Sequence, residues 1–130
     1  WGKQLNGKPW NIGITNPFHP DELLGIIPLT QGAVTTSGSY EKFVILDGKR
    51  YSHIINPSTG YPVTGLCSVT VVGPNAETAN GLSTSLMILG KKEGLLLLEK
   101  HPDYSCIIIT DDGKIIKSKN FQLKILMSSL

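Results

Sequence analysis

Two polar stretches in the middle of the 130-residue chain carry side chains that could do chemistry on a phosphate. The first, residues 52–62, places the imidazole of His53 beside a turn rich in proline and glycine. The second, residues 77–84, carries Asn80 and Thr84 four positions apart, which puts both on one face of a helix. A turn that presents backbone N–H groups, set against two oxygen ligands, suits a phosphate with a hard cation.

The first stretch offers a proton acceptor and a set of donors. Imidazole exchanges protons near neutral pH, so His53 could take the proton of an attacking hydroxyl, with Ile54 beside it. Its ring could equally do no more than bond a neighbouring backbone group. Consecutive N–H groups around Pro57, Thr59 and Gly60 could form an anion-binding nest, although most turns of this composition bind nothing.

A small-residue segment upstream is a second candidate for contacts with a ligand. We expect a strand over residues 33–36 and a sharp loop over residues 37–39. The hydroxyls of Thr36 and Ser37 could donate to phosphate or ribose oxygens, and Gly38 lets a ligand approach the backbone closely. A loop of serine and glycine can also be only a turn.

The helical pair is the candidate metal site. A helix N-terminus favours phosphate, and the oxygens of Asn80 and Thr84 could hold Mg²⁺, which commonly keeps water and substrate phosphate as its other ligands. The alternative is two polar residues on a solvated face. Gly81 is a weak helix former, which suggests close packing against a ligand or backbone.

Composition limits the classes of partner. The net charge of +2, with lysines scattered along the chain, argues against a nucleic-acid partner. No run is long enough to span a bilayer, so any membrane contact requires an anchor outside this chain. Cys67 and Cys106 lie in apolar runs and are expected to be buried thiols, although facing strands could also bring them together as a disulfide.

The pattern of elements predicts an α+β fold, with a mainly antiparallel sheet and two adjacent helices on one face. The opening segment indicates a strand–turn–strand unit, from which we expect a fragment of a longer precursor. Strands are predicted at residues 1–5, 10–15, 24–30, 33–36, 42–46, 50–55, 66–72, 104–110 and 114–118, with a final strand or amphipathic tail at 121–127, and helices after Asn75 up to residue 89 and at 93–100. Asp47-Gly48 predicts a hairpin between the strands at 42–46 and 50–55. The first helix is expected to be capped by Asn75, to bury Leu86 and Leu89 in its core stripe and to stop at Gly90.

The ordered set of motifs resembles the FAD:protein FMN transferase family, also called the ApbE family. The matching segments are residues 10–14, 16–17, 33–40, 52–62, 68–72 and 78–90. Each is weak alone, but their order and spacing are specific and cover nearly the whole chain. By this resemblance residues 1–130 are the C-terminal portion of an ApbE-like domain whose full members are about twice this size.

The resemblance implies an enzyme of the bacterial cell envelope, often a lipoprotein, on the extracytoplasmic side of the inner membrane. Such enzymes split FAD with Mg²⁺, release AMP and attach FMN to a threonine of a partner, typically a subunit of a membrane redox complex. It implies His53 at the active site and metal ligands at positions 80 and 84.

This chain departs from the family pattern at two positions. The family usually has aspartate where Asn56 and Asn80 stand, and an amide oxygen carries no charge for a cation. These two amides leave a second interpretation open, an FAD-binding protein of the same family without transferase activity. A third is a scaffold domain that binds only a partner protein.

Overall fold

The computed structural model describes residues 2–125, with side chains throughout except at positions 49, 50 and 125. Within that range the elements are β1 (Trp10–Thr15), β2 (Leu23–Leu29), β3 (Ala33–Gly38), β4 (Phe43–Leu46), β5 (Lys49–Ser52), β6 (Leu66–Gly73), α1 (Ala76–Glu99), β7 (Ser105–Thr110), β8 (Ile115–Lys117) and β9 (Lys124–Ile125). All strand pairs are antiparallel. The predicted α+β class is confirmed.

The core is built on both faces of a four-stranded sheet in the order β3-β6-β7-β8. Val69, Cys106 and Ile108 pack on the side of α1, whereas Ile107 and Ile109 pack on the side of a three-stranded sheet in the order β1-β2-β9. Because both faces are covered, β6 is buried from Leu66 to Val71, including its polar Ser68 and Thr70, and β7 is a continuous apolar run from Cys106 to Ile109.

The two cysteines lie in different apolar clusters. The pairing of β6 with β7 shifts register between Leu66 and Ser68, and Cys67 falls in the cluster on the side of β2. Cys106 falls in the cluster on the side of α1. Both thiols are buried and are not joined to each other by a disulfide, which confirms the expected buried thiols, and burial raises the pKa of Cys106 from 9.0 to about 11.

Helix α1 begins where the sequence predicts. Asn75 is the N-cap, and its Oδ1 accepts a hydrogen bond of 3.0 Å from the N–H of Thr78. Residues 2–125 contain one helix rather than the two predicted, and it is broken at Gly90, where φ is 77° and ψ is 177°. Leu86 is fully buried, worth about 1.5–3 kcal/mol, but the predicted core residue Leu89 next to the break is 47% exposed.

Other boundaries differ from expectation. β3 continues through Gly38, since its pairing with β6 runs on to Ser68, so the loop predicted at residues 37–39 does not begin until Ser39. Residues 2–5 form no strand. Residues 126–127 of the last predicted strand lie outside the described part of the chain.

The predicted hairpin around Asp47-Gly48 is confirmed as β4–β5. Its two turn residues have φ of 51° and 74°, as tight hairpin turns require. Between residues 2 and 125, no helix is both long and apolar enough to cross a membrane.

Two glycines of α1 should respond oppositely to alanine. A Cβ on Gly81 would meet nothing within 4 Å, so Gly81→Ala should gain about 0.5–1 kcal/mol of stability from helix propensity. Gly90 has a backbone conformation open almost only to glycine, so Gly90→Ala should lose about 1–3 kcal/mol. Denaturant unfolding measures both, and equal changes in the two variants would contradict this description of the break.

The buried thiols should be unreactive in the folded protein. Cys67 is 1% exposed and Cys106 is fully buried with a raised pKa, so neither forms accessible thiolate at pH 8. We expect a chromogenic disulfide reagent to label both only after denaturant is added. Rapid labelling of native protein would show that the sheet does not cover them.

Candidate functional site

Three segments meet around a cavity of about 420 Å³: the end of β3 with the residues after it, the segment after β5, and the outer face of α1. The lining residues are Thr36, Ser37, Gly38, Glu41, His53, Ile54, Ile55, Asn80, Thr84 and Ile88. The structure therefore brings together seven of the ten residues predicted for the site.

The strand-to-helix contact is a chain of hydroxyls. Ser37 Oγ lies 2.8 Å from Ser83 Oγ and 3.2 Å from Thr84 Oγ1, and Ser83 Oγ donates to the Asn80 carbonyl at 3.0 Å. Each hydroxyl has one hydrogen. Because Ser83 gives its hydrogen to Asn80, Ser37 must donate to Ser83, and Thr84 must donate to Ser37.

This order of donors determines what Thr84 can offer a ligand. Its hydrogen points to Ser37, so its oxygen keeps lone pairs for a donor or a cation in the cavity that it lines. Thr84 is half-buried, whereas Asn80, one turn earlier, is exposed. The hydroxyl of Thr36 is bonded differently, to Thr70 Oγ1 at 2.8 Å.

His53 is held by a single backbone carbonyl. Its N–H donates to Lys42 O at 3.1 Å, and its ring Nδ1 lies 2.9 Å from the same oxygen. A carbonyl only accepts, so Nδ1 carries hydrogen and the neutral ring has its lone pair on Nε2. The imidazole thus bonds a backbone group, as one prediction held, and also lines the cavity as a possible proton acceptor.

The Asn56–Gly60 turn uses its own donors. Asn56 Oδ1 accepts from the N–H of Ser58 at 2.9 Å, and Asn56 O accepts from Thr59 and Gly60 at 3.2 and 2.8 Å. Proline has no N–H to give. The turn therefore does not present the predicted row of free donors within this chain.

Three predicted residues consequently stand apart from the cavity. Pro57, Thr59 and Gly60 are exposed and are not among its lining residues, so their contacts with a ligand stay a prediction. The turn has a structural effect instead: the N–H of Asn56 donates to Tyr61 O at 2.9 Å, and Ile55 pairs with Pro62. These bonds fix the segment that carries Ile54 and Ile55 to the cavity wall.

Four residues at the site were not identified from the sequence. Ser83 and Ile88 lie on the helix three and eight residues after Asn80, which helical periodicity could have indicated. Ile55 follows two predicted residues directly. Glu41 gave no signal, because nothing in its surroundings predicts that the segment after β3 turns toward the helix.

The chemistry of the cavity is that of oxygen donors. Across residues 2–125 no three histidine, cysteine, aspartate or glutamate side chains are grouped as metal ligands. A cation here would depend on amide, hydroxyl and single carboxylate oxygens, which are ligands that hard cations accept.

A larger cavity of about 580 Å³ lies elsewhere, lined by residues that include Leu95, Leu98, Tyr104 and Lys117. The lining that the structure describes there contains no histidine. The smaller cavity is the stronger candidate because it combines an imidazole with hydroxyls of defined orientation.

Comparison with known proteins finds a matching family model and similar curated proteins. A sequence model of the ApbE family matches residues 1–108. The FAD:protein FMN transferase of Haemophilus influenzae is 40% identical over 123 residues, and that of Treponema pallidum is 34% identical over 108 residues. These matches cover 92% and 82% of this chain.

Solved structures show the same fold. The ApbE protein of Thermotoga maritima superposes with a TM-score of 0.84 at 37% identity, and the flavin transferase ApbE of Vibrio cholerae with 0.75 at 37% identity. Each superposition covers 92% of this chain and 39% of the other.

The relatives are more than twice as long as this chain, whereas the resemblance led us to expect a length about twice that of the chain. This chain spans 36% of the Haemophilus influenzae protein and 30% of the Treponema pallidum protein, so it corresponds to about a third of each. Since the family model covers most of the chain and the fold agrees at substantial identity, this chain belongs to the ApbE family.

Proposed function

We propose that this chain is the C-terminal portion of an ApbE-like domain that transfers FMN from FAD to a threonine of a partner protein and releases AMP. The observation that carries the proposal is that a threonine oxygen with free lone pairs and an imidazole share one cavity. The printed names of the relatives support the reaction. Because the chain spans 36% of the first of them, other parts of a full-length protein would complete the flavin site.

The oxygen atoms that line the cavity are suitable ligands for Mg²⁺. Asn80 and Thr84 supply hard oxygens from one helix face, and the hydroxyl chain leaves the lone pairs of Thr84 available. When bound, Mg²⁺ would neutralise charge on the diphosphate of FAD. The remaining steps depend on the chain's own residues.

His53 is suited to accept the proton of the attacking threonine. The acceptor oxygen forms a bond to the flavin-side phosphorus while the bond from that phosphorus to the bridging oxygen breaks, and AMP leaves with that oxygen. The lone pair on Nε2 takes the hydroxyl hydrogen, and the bond from Nδ1 to Lys42 O keeps the ring in the tautomer this requires.

Cavity size sets how much of the substrate this chain can hold. The cavity has a volume of about 420 Å³, near the lower end of the range for ligand pockets. It would therefore hold the diphosphate of FAD and the groups next to it rather than the whole dinucleotide. Gly38 and Ile54 would lie beside them, and the hydroxyl of Thr36 would be close by. By resemblance to the family, the acceptor would be a subunit of a membrane redox complex, and the enzyme would lie on the outer side of the inner membrane.

Removing the Thr84 hydroxyl should abolish most of the transfer. In the full-length protein, Thr84→Val should lower AMP release from FAD by about 100-fold, since a ligand oxygen at the reacting phosphate is lost. Thr84→Ser keeps the oxygen and should retain most activity. Ser85→Ala, which removes a neighbouring hydroxyl outside the cavity lining, is the matched control. Tight FAD binding without AMP from the unaltered protein would instead favour the flavin-binding interpretation.

Restoring a carboxylate at position 80 should strengthen metal binding. Asn80→Asp should lower the Mg²⁺ concentration for half-maximal turnover, because a charged oxygen replaces a neutral one. Asn56→Asp is the control. It makes the same substitution in a turn where an aspartate oxygen can accept the same hydrogen bond from Ser58, so the Mg²⁺ concentration for half-maximal turnover should not change. An unchanged requirement in Asn80→Asp would remove Asn80 from the metal site.

A further inference from the structure

One group in the cavity has no part in the reaction described so far. Among the lining residues that the structure describes, Glu41 is the only carboxylate, and His53 is the only other ionisable side chain. Asn80, Thr84 and Ser37 offer neutral oxygens. A divalent cation held only by neutral dipoles binds more weakly than one with an anionic ligand, since affinity follows ligand charge.

The backbone on both sides of Glu41 is anchored. The preceding residue, Tyr40, packs on Gly38 so closely that a Cβ on that glycine would lie 2.7 Å from Tyr40 Cε1. The carbonyl of the following residue, Lys42, accepts both the N–H and the ring nitrogen of His53. The Cα of Glu41 is therefore held at the cavity while its side chain remains exposed and able to turn.

The carboxylate is not committed elsewhere. In the part of the chain with described side chains, the ion pair joins Lys114 to Asp112, and Glu41 has neither a salt bridge nor a hydrogen bond. An unpaired carboxylate that lines the same cavity as an oriented hydroxyl and an amide is the combination that a hard cation completes.

We propose that Glu41 is the anionic ligand of the cation that Asn80 and Thr84 hold. This inference rests on the proposed function, whose cation it concerns, and adds a ligand that the helix does not provide. The charge that an aspartate at position 80 would carry is supplied here from the segment after β3. Thr84 contributes the oxygen oriented by Ser37, and Asn80 contributes the exposed amide oxygen.

Metal binding measured without flavin tests the proposal. Full-length protein is titrated with Mn²⁺, which accepts the same oxygen ligands as Mg²⁺, and free Mn²⁺ is counted by electron paramagnetic resonance. Glu41→Gln should raise the dissociation constant by about tenfold or more. Glu93→Gln removes the same charge beyond the helix break and should change it by less than about twofold.

A double variant distinguishes the loss of a ligand from a general disturbance. Asn80→Asp added to Glu41→Gln returns one carboxylate to the cavity and should recover most of the affinity. Glu41→Gln with unaltered Mn²⁺ affinity would overturn the proposal, and so would an unaltered protein that binds no Mn²⁺. AMP release measured on the same samples is independent: normal release with unaltered Mn²⁺ affinity in Glu41→Gln overturns the role of Glu41 but leaves the transferase intact.

Discussion

The hydrogen bond from Thr84 to Ser37 is the contact on which the site depends. It joins Ser37, near the end of β3, to Thr84 on α1. The two hydroxyl oxygens are 3.2 Å apart, and the residues are separated by 47 positions in the sequence. Together with the 2.8 Å hydrogen bond between Ser37 and Ser83, this contact ties the end of the strand to the helix. With it, the hydrogen of Thr84 is assigned, and the free lone pairs of its oxygen are left for a ligand. This contact and the carbonyl of Lys42 hold opposite ends of the short segment 37–42, which contributes Ser37, Gly38 and Glu41 to the cavity lining.

The packing beneath the site explains why this contact has a fixed geometry. β3 pairs with β6 over six residues, and α1 packs on the same two strands through side chains such as Val69, Ala79 and Leu86. The second face of the sheet is covered by β1 and β2, so neither strand can shift without exposing apolar surface. Site residues on strand and helix ends are held more closely than they would be on free loops.

Much of this arrangement could be predicted from the sequence, where local chemistry is strong. The Asn75 cap, the Gly90 break and the Asp47-Gly48 hairpin were each indicated by the residue that forms it. Asn80 and Thr84 share a face because helical geometry requires it.

What could not be predicted depends on long-range pairing. The extension of β3 through Gly38 requires β6 as its partner, and the second sheet layer is not encoded in any one segment. The donors of the Asn56 turn looked free because the sequence does not show that the turn closes on itself. Glu41 became visible only once the strand and the helix had been placed together.

In the proposed site a cation lies between Thr84 and the segment after β3. The most direct measurement is a crystal structure of the full-length protein soaked with Mn²⁺, in which anomalous scattering locates the ion. We expect a peak about 2.0–2.3 Å from Thr84 Oγ1, with a carboxylate oxygen of Glu41 in the same shell. A peak that avoids Thr84, or a Thr84 oxygen turned away from the cavity with its hydrogen bond to Ser37 broken, would contradict the account.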